Sequence, residues 1–215
     1  FKGNANLSQQ RIISVVGTRM PTDYGKAMCE QLIRDLAEEG VMIVSGLAYG
    51  VDTAAHRASL AAGLPTVGVL AHGLDQVYPY VNRALAEKML ENGGLLTEFM
   101  SRTKLNRDYF PRRNRIIAGM ADATLVIESA TKGGALITAD IANSYNRDVF
   151  ALPGRVTDEK SSGCNELIKA NKASLIRNAN DICYLMGWDQ SPQLVHIQQK
   201  LFTEMNEEEK KVFEF

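Results

Sequence analysis

The chain has 215 residues, of which 45% are hydrophobic, and a formal net charge of -1 at pH 7. This length and composition can support one sizeable core with some chain left over, so we expect one main domain and an appendage. No apolar run approaches the roughly 20 residues of a membrane helix, and no signal peptide precedes Arg11, so we expect a soluble, cytoplasmic protein without a membrane span. The cysteines are far apart and odd in number, which favours buried thiols over disulfides or a zinc site.

Short β-branched runs alternate with amphipathic stretches between Arg11 and Leu185. This pattern is typical of an α/β protein with a mostly parallel sheet covered on both faces. In the first predicted helix, apolar side chains at positions 28, 32, 33 and 36 share one face, and Gly40 ends the helix. The predicted strands are residues 12–16, 41–44, 66–70, 95–97, 123–127, 149–152 and 174–176.

We expect three regions along the chain. Residues 1–10 are predicted to be a linker or remnant, and residues 11–188 to be the main domain. Residues 189–215 contain a Ser-Pro pair and then helical patterns, which indicates a linker and the start of a further, truncated domain. An apolar cluster closes the main domain, and it either packs against the parent core or forms a dimer surface. Its members are Ile182, Leu185, Met186 and Trp188.

Glycine recurs in the loops that follow the predicted strands. In open α/β sheets ligands bind beyond the carboxyl ends of the strands, and the backbone amides at helix N-termini there bind phosphates. A single glycine would indicate only a tight turn, but Gly17, Gly46 and the Gly133-Gly134 pair all fall at this edge. No dinucleotide or P-loop fingerprint is present, so we expect no cofactor.

Residues 102–115 read RTKLNRDYFPRRNR and concentrate positive charge in a chain of net charge -1. Basic side chains interleaved with the rings of Tyr109 and Phe110 are typical of surfaces that hold a phosphate backbone and stack unpaired bases. The alternative is a solvated charged face. Because residues 116–120 continue as an apolar helical pattern, we expect the arginines to be anchored on a packed element. Single-stranded nucleic acid is therefore the first predicted ligand.

A series of short motifs runs in order through the main domain. They read VGTR at 16–19, SGLAYGVD at 45–52, YP at 78–79, FPRRNRIIAG at 110–119, GALITA at 134–139 and PG at 153–154. With these motifs the chain resembles the DNA-processing protein A family, also called DprA or Smf. The resemblance implies a three-layer extended Rossmann-like fold with a mostly parallel sheet. In many members a winged-helix-like domain follows, which residues 189–215 would begin.

The resemblance also implies a function. The family binds single-stranded DNA, protects incoming strands in natural transformation and loads the recombinase RecA onto them. It acts as a homodimer and is not known as an enzyme. Thr18 stands where the family more often has serine, and Arg107 where it has lysine, and both changes keep the relevant chemistry.

The site hypothesis assigns phosphates to three arginines and to the amides of Gly133 and Gly134, with Phe110 stacking on a base. Phe110 could instead be an aromatic plug beneath the loop. Arg115 could contact DNA or brace the loop against Glu98 or Glu128. The predicted DNA-binding residues are Gly17, Thr18, Arg19, Ser45, Gly46, Arg107, Phe110, Arg112, Arg113, Asn114, Arg115, Lys132, Gly133 and Gly134.

The sequence gives weaker support to a metal site, to a nucleotide hydrolase and to a protein-interaction scaffold. Asp52 and His56 share a helical face, but no third ligand has comparable spacing, so a structural role in capping the helix or orienting its loop is favoured over a metal site. An alternative function is a nucleoside-monophosphate phosphoribohydrolase, in which Asp140 would be the catalytic carboxylate and Arg113 the upstream arginine. Leu136 and Ile137 replace the glycine and threonine of that motif, which weakens this hypothesis. A pure protein-interaction scaffold is the third alternative.

Overall fold

The computed structural model describes residues 1–9 and 11–188 and contains one eight-stranded sheet. The strand order is β1-β5-β4-β3-β2-β6-β7-β8, and every neighbouring pair is parallel except β1 with β5. The predicted mostly parallel α/β sheet is confirmed. The segment predicted as linker and truncated domain, 189–215, lies outside the described residues. The strands are β1 (Lys2–Gly3), β2 (Ile12–Val16), β3 (Met42–Ser45), β4 (Thr66–Val69), β5 (Gly93–Leu96), β6 (Ala123–Val126), β7 (Asp148–Ala151) and β8 (Ser174–Leu175).

Helices cover both faces of the sheet and give three layers. One face carries α1, α2, α3 and α7, and the other carries α4, α5 and α6. Within residues 1–9 and 11–188, none of these helices has the length and apolar character needed to cross a bilayer. The helices are α1 (Asp23–Asp35), α2 (Val51–Ala61), α3 (Arg83–Met89), α4 (Tyr109–Met120), α5 (Gly134–Ser144), α6 (Ser162–Lys169) and α7 (Ala179–Leu185), with short 3-10 turns at Leu36–Glu39, Tyr80–Asn82 and Glu159–Ser161.

Alternation along the strands divides the core into two main clusters. In β2, Ile13 and Val15 face α1, α2 and α7, whereas Ile12 and Val16 face α4, α5 and α6. All five residues of β2 are buried, as expected for a central parallel strand covered on both sides. The three cysteines are buried and form no disulfide, as the sequence predicted.

Helix α1 follows directly from its sequence. The hydroxyl of Thr22 caps its N-terminus by accepting from the Gly25 N–H at 3.0 Å, and Asp23 lies in the first turn. Leu32 and Ile33 are fully buried against the sheet. The predicted stop at Gly40 is confirmed, since this residue has a φ of 61° after a short 3-10 turn.

The strand order reverses at the centre of the sheet. From β2 the chain builds outward through β3, β4 and β5, then returns to add β6 on the other side of β2. The loops after β2 and β6 therefore diverge to opposite faces of the sheet and leave a crevice at its carboxyl edge, the usual ligand position in such sheets.

The two ends of the described chain are tied to this domain. Residues 1–10 were expected to be a linker, but Lys2 and Gly3 form β1 and pair with Leu95 and Gly94 of β5. At the other end Ile182 is buried, and Met186 and Trp188 pack against the larger core cluster. The packing role predicted for these three is confirmed, whereas Leu185 remains 45% exposed.

Candidate nucleic-acid interface

A pocket of about 690 Å³ opens at the crevice where the strand order reverses. Its walls come from the loops after β2, β3, β4, β5 and β6, from α4 and from the N-terminal halves of α2 and α5. The sequence-predicted residues in its lining are Gly17, Thr18, Arg19, Arg107, Phe110, Arg113, Asn114, Gly133 and Gly134. The structure thus brings together three separate motifs that sequence reasoning had placed at one edge of the sheet.

Rings and a guanidinium group meet at the mouth of the pocket. The guanidinium carbon of Arg19 lies 5.9 Å from the centre of the Phe110 ring. The Tyr78 ring is tilted at 58° to Phe110, with 6.0 Å between the ring centres. Phe110 is half-buried rather than sealed in the core, so part of its ring faces the pocket. This arrangement offers an aromatic surface beside a cation that is itself exposed.

The N-terminus of α5 supplies backbone donors to the same pocket. Gly133 precedes the helix in extended conformation, and no side chain caps the helix there. A Cβ built on Gly134 would meet no atom within 4 Å, so the pocket is open at this point. The first amides of a helix carry partial positive charge and lack intrahelical partners. This end of α5 is therefore suited to an anionic group such as a phosphate.

Arg113 does not occupy the exposed position that the phosphate-binding hypothesis assumed. Its side chain is buried, and Nη1 donates to the Val69 carbonyl and, at 2.8 Å, to the Gly46 carbonyl. Helical spacing explains the difference, because the position turns toward the sheet while Arg112 and Arg115 turn outward. Arg113 lines the buried end of the pocket, where its positive charge lies close to any ligand that the pocket holds.

Asp52 is the buried counter-charge to Arg113. Its Oδ2 accepts from the Ala48 N–H at 3.1 Å, so Asp52 orients the loop before α2 and does not cap the helix, which has no side-chain cap. Burial raises the pKa of Asp52, and the nearby Arg113 opposes that shift. Burial lowers the pKa of Arg113 to about 10, and Asp52 opposes that shift. A guanidinium pKa near 10 still leaves Arg113 charged at neutral pH.

Ser45 and Gly46, predicted as DNA contacts, lie beneath the pocket surface instead. The Ser45 hydroxyl donates to the Val15 carbonyl at 2.7 Å. A Cβ on Gly46 would lie 2.6 Å from Nη2 of Arg113 and 2.7 Å from Oδ2 of Asp52. Glycine is needed here because these two charged groups fill the space where a side chain would begin. Both residues are structural, since strand β3 ends inside the protein before its loop reaches the surface.

Glu128 organises the loop that carries Arg19, a role that the sequence analysis did not assign. Its buried carboxylate accepts from the Thr22 N–H at 2.8 Å and from the Thr22 hydroxyl at 2.5 Å. Its carbonyl accepts from the Thr18 N–H at 2.7 Å. One residue at the end of β6 therefore holds both ends of the segment around Arg19. The available signal was its position directly after a buried strand.

The remaining basic residues of the predicted set lie outside the pocket lining. Arg115 bonds Glu98 at 2.5 Å, which confirms the bracing contact that had been weighed against DNA binding. Arg112 approaches the same carboxylate at 3.8 Å and lies 6.0 Å from the Phe99 ring centre. Lys132 is exposed on the loop before α5. The basic residues of 102–115 are thus divided in the structure, because Arg107 and Arg113 line the pocket whereas Arg112 and Arg115 lie on the outer surface of α4.

Asp140 lies away from the pocket. It is exposed on α5 and pairs with Lys172 at 3.0 Å, and it is not among the residues that line the crevice. The carboxylate required by the phosphoribohydrolase hypothesis is therefore not presented to the crevice. Among the pocket-lining residues that sequence reasoning assigned no binding role are Tyr78, Ser129 and Thr138.

Comparison with known proteins identifies close relatives. The family model described as DNA recombination-mediator protein A matches residues 1–187. The chain is 43% identical to protein Smf of Synechocystis over 81% of the chain and 44% of that protein. It is 42% identical to DNA processing protein DprA of Bacillus subtilis over 82% of the chain and 59% of that protein. The chain thus spans about half the length of these curated relatives.

Solved structures agree with the sequence relatives. DNA processing protein A from Streptococcus pneumoniae superposes with a TM-score of 0.81 at 39% identity, covering 85% of this chain and 64% of that one. The Helicobacter pylori protein, described for its single-stranded DNA binding mode, gives 0.80 at 30% identity, covering 87% and 86%. The molybdenum cofactor binding protein of Rippkaea orientalis, with 0.57 at 18% identity over 84% and 98%, shares the fold alone.

Proposed function

The chain belongs to the DNA recombination-mediator protein A family, and from that premise we propose that its pocket binds single-stranded DNA. The observation that carries the proposal is the Arg19–Phe110 pair at the pocket mouth, with a 5.9 Å separation. A ring and a cation side by side suit a nucleotide, whose base stacks on the ring while its phosphate meets the charge. The solved Helicobacter relative, described for its single-stranded DNA binding mode, supports the same ligand.

In this proposal each wall of the pocket has one task. Phe110 receives an unpaired base, and Arg19 and Arg107 hold phosphates on either side of it. The amides at the start of α5 bind a further phosphate without a side chain between them and the ligand. Arg113, buried in the floor beside Asp52, adds positive potential while keeping the loops in position.

Selectivity for single strands follows from the use of Phe110. In a duplex both faces of each base are covered by neighbouring base pairs, so no face is free for a protein ring. Stacking on Phe110 therefore requires an unpaired nucleotide, whereas the phosphate contacts alone would accept either form. Nothing in the proposed arrangement reads base edges, so we expect little sequence preference.

The biological role that we propose follows the family resemblance. The protein would protect incoming strands in natural transformation or recombination and load RecA onto them in the cytoplasm. It would act as a homodimer and without catalysis. Because the chain spans about half of its curated relatives, parts of those activities can depend on regions beyond this sequence.

The test is fluorescence anisotropy of a labelled oligo-dT, with duplex DNA as competitor and salt varied. Tight binding that duplex fails to displace, and that weakens with salt on a multi-phosphate slope, supports the proposal. A folded sample without affinity for the oligonucleotide would contradict it. Release of free base from a nucleoside monophosphate would instead support the phosphoribohydrolase alternative, with Asp140→Ala as the control.

A further inference from the structure

The carboxyl edge of the sheet carries a second ring-and-cation pair outside the pocket. Tyr80 is 73% exposed, and the guanidinium carbon of Arg83 lies 5.9 Å from the centre of its ring. Arg83 also donates to the Tyr80 hydroxyl at 3.5 Å and to Glu87 at 3.1 Å. This geometry repeats that of Arg19 with Phe110. It uses a different loop, the one after β4, which the site hypothesis had not included.

The loop that presents Tyr80 is held firmly. Asn82 is 2% exposed and donates to the Leu47 carbonyl and to the Thr53 hydroxyl, at 2.9 Å each. These contacts join the loop to the end of β3 and to α2. A ring on a fixed support loses less freedom on binding than one on a mobile loop. Tyr80 is therefore exposed next to a residue that is anchored to the protein interior.

A second anchor fixes the start of the same loop. The Nδ1 of buried His72 donates to the Gly73 carbonyl at 2.9 Å, which leaves Nε2 as an acceptor. Nε2 accepts the backbone N–H of Tyr78 at 3.2 Å. Tyr78 in turn lines the pocket, with its ring centre 6.0 Å from that of Phe110.

Tyr78 links the two ring-and-cation pairs into one path. Only one residue separates Tyr78 from Tyr80, so their Cα atoms are at most about 7.6 Å apart. DNA strands advance about 3.4 Å per nucleotide when stacked. A strand that leaves Phe110 past Tyr78 therefore reaches Tyr80 within a few nucleotides. Single exposed rings are common on monomer surfaces, whereas neighbouring exposed side chains such as Tyr78, Tyr80 and Val81 form a contiguous patch of the kind that marks binding sites.

We propose that Tyr80 and Arg83 form an outer base-stacking site for the single strand that the pocket holds. This inference rests on the proposed function, and it assigns the direction in which the strand leaves the pocket, across the loop after β4 and over α3. The chemistry required is an unpaired base on the Tyr80 ring with its phosphate beside Arg83. The Tyr80 hydroxyl is not needed for stacking, since the ring face carries the interaction.

The test compares two lengths of labelled oligo-dT, of about 4 and about 16 nucleotides, at the two ends of the common range of site sizes, because a strand of about 4 is taken up by the pocket and does not also reach Tyr80. We expect Tyr80→Ala to weaken binding of the longer strand about tenfold or more and that of the shorter strand by less than about twofold. Tyr80→Phe should bind both strands like the wild type. Tyr145→Ala, an exposed tyrosine at the opposite edge of the sheet, is the matched control and should bind both strands normally.

The outcomes separate this inference from the proposed function. Equal affinity of Tyr80→Ala and wild type for the longer strand would overturn the outer site while leaving the pocket intact. An equal loss for both lengths would also overturn it, because the ring would then act within the pocket. A wild-type protein that binds neither strand would refute both proposals. Crosslinking of 5-iododeoxyuridine placed along the longer strand should label the peptide that contains Tyr80.

Discussion

The guanidinium carbon of Arg19 lies 5.9 Å from the ring centre of Phe110, although the two residues follow different strands of the sheet. The pairing depends on the reversal of strand order, which brings the loop after β2 beside the first turn of α4. Glu128 fixes the Arg19 loop from below through Thr18 and Thr22. At the mouth of the pocket, Arg19 is therefore positioned by Glu128, whereas Phe110 is positioned by helix α4.

Removal of the Phe110 ring should weaken DNA binding without unfolding the protein. Stacking of a base on an aromatic side chain contributes about 1–3 kcal/mol, so we expect Phe110→Ala to lower oligo-dT affinity about 5- to 150-fold. Anisotropy titration measures the affinity, and circular dichroism checks the fold. If the variant binds as tightly as the wild type while folded, Phe110 is a structural plug.

Loss of charge should lower the stability of the protein at Arg113 but its affinity for DNA at Arg107. Arg113→Met leaves Asp52 buried without its partner, which costs about 3–5 kcal/mol of folding free energy. Arg107 is exposed, so Arg107→Met should leave stability unchanged and weaken DNA binding and its salt dependence. Guanidinium chloride denaturation measures the stability of both variants.

A double variant checks that the stability loss of Arg113→Met arises from the charge interaction between Arg113 and Asp52. Arg113→Met with Asp52→Asn removes both charges and should recover part of the stability lost in Arg113→Met. Unchanged stability of Arg113→Met together with lost DNA binding would show that Arg113 is a direct phosphate ligand, as the sequence suggested.

Two glycines of the site should differ in what an added methyl group does. Gly46→Ala forces a Cβ against Arg113 and Asp52, so we expect a loss of about 1–3 kcal/mol in the free energy of unfolding. Gly134→Ala meets open space at the first turn of α5 and should be neutral or stabilising by up to about 1 kcal/mol. Thermal denaturation distinguishes the two variants.

Gly134→Ala also tests whether the backbone amides at the start of α5 bind a phosphate. If a phosphate approaches the backbone at the start of α5, the new methyl group obstructs it, and we expect about fivefold weaker oligo-dT binding in a protein of undiminished stability. Normal affinity in the stable variant would remove this end of the helix from the binding site.

His56 should make the protein less stable in mild acid. The Thr66 hydroxyl donates to the Ile43 carbonyl at 3.0 Å and so accepts from Nδ1 of His56 at 2.7 Å. This leaves Nε2 buried without a hydrogen-bond partner among the described residues. Burial, together with the charge of Arg113, lowers the pKa of His56 to about 3.

Between that value and the unfolded pKa near 6.5 the unfolded chain binds a proton that the native protein does not. Stability therefore rises with pH across this window, by up to about 1.4 kcal/mol per unit for one histidine. The raised pKa of Asp52 makes stability fall as the pH rises above about 4, which opposes the histidine effect. The wild type is therefore compared with His56→Gln, which keeps Asp52 and lacks only the histidine. A pH series of denaturation midpoints that is equally steep in both proteins would contradict the assignment.

The sequence predicted the sheet well because buried parallel strands read as short β-branched runs. Seven runs match β2 to β8 to within a few residues, and the carboxyl-edge rule located the pocket. It missed β1, since Lys2 and Gly3 have no strand pattern of their own and are extended only through pairing with β5. Local pattern does not reveal a strand that long-range pairing creates.

The roles of individual arginines were harder to predict. Part of the charge run lines the pocket, but only the register of α4 decides that Arg113 points inward and Arg115 outward. The buried partner of Arg113 is Asp52, distant in sequence, which no local pattern indicates. The contact between Tyr80 and Arg83 was not predicted for a related reason, because Arg83 reads as the start of an ordinary surface helix.

Strand β1 also covers one edge of the sheet that could otherwise pair with the edge of another sheet. Antiparallel pairing of Lys2 and Gly3 occupies hydrogen-bonding groups of β5 that would otherwise form an open edge. The far edge is the two-residue β8, flanked by Lys172 and Arg177, and short charged edges resist edge-to-edge joining. A variant lacking residues 1–5 would expose the Gly93–Leu96 edge and should aggregate during refolding, because β1 would no longer cover the hydrogen-bonding groups of β5.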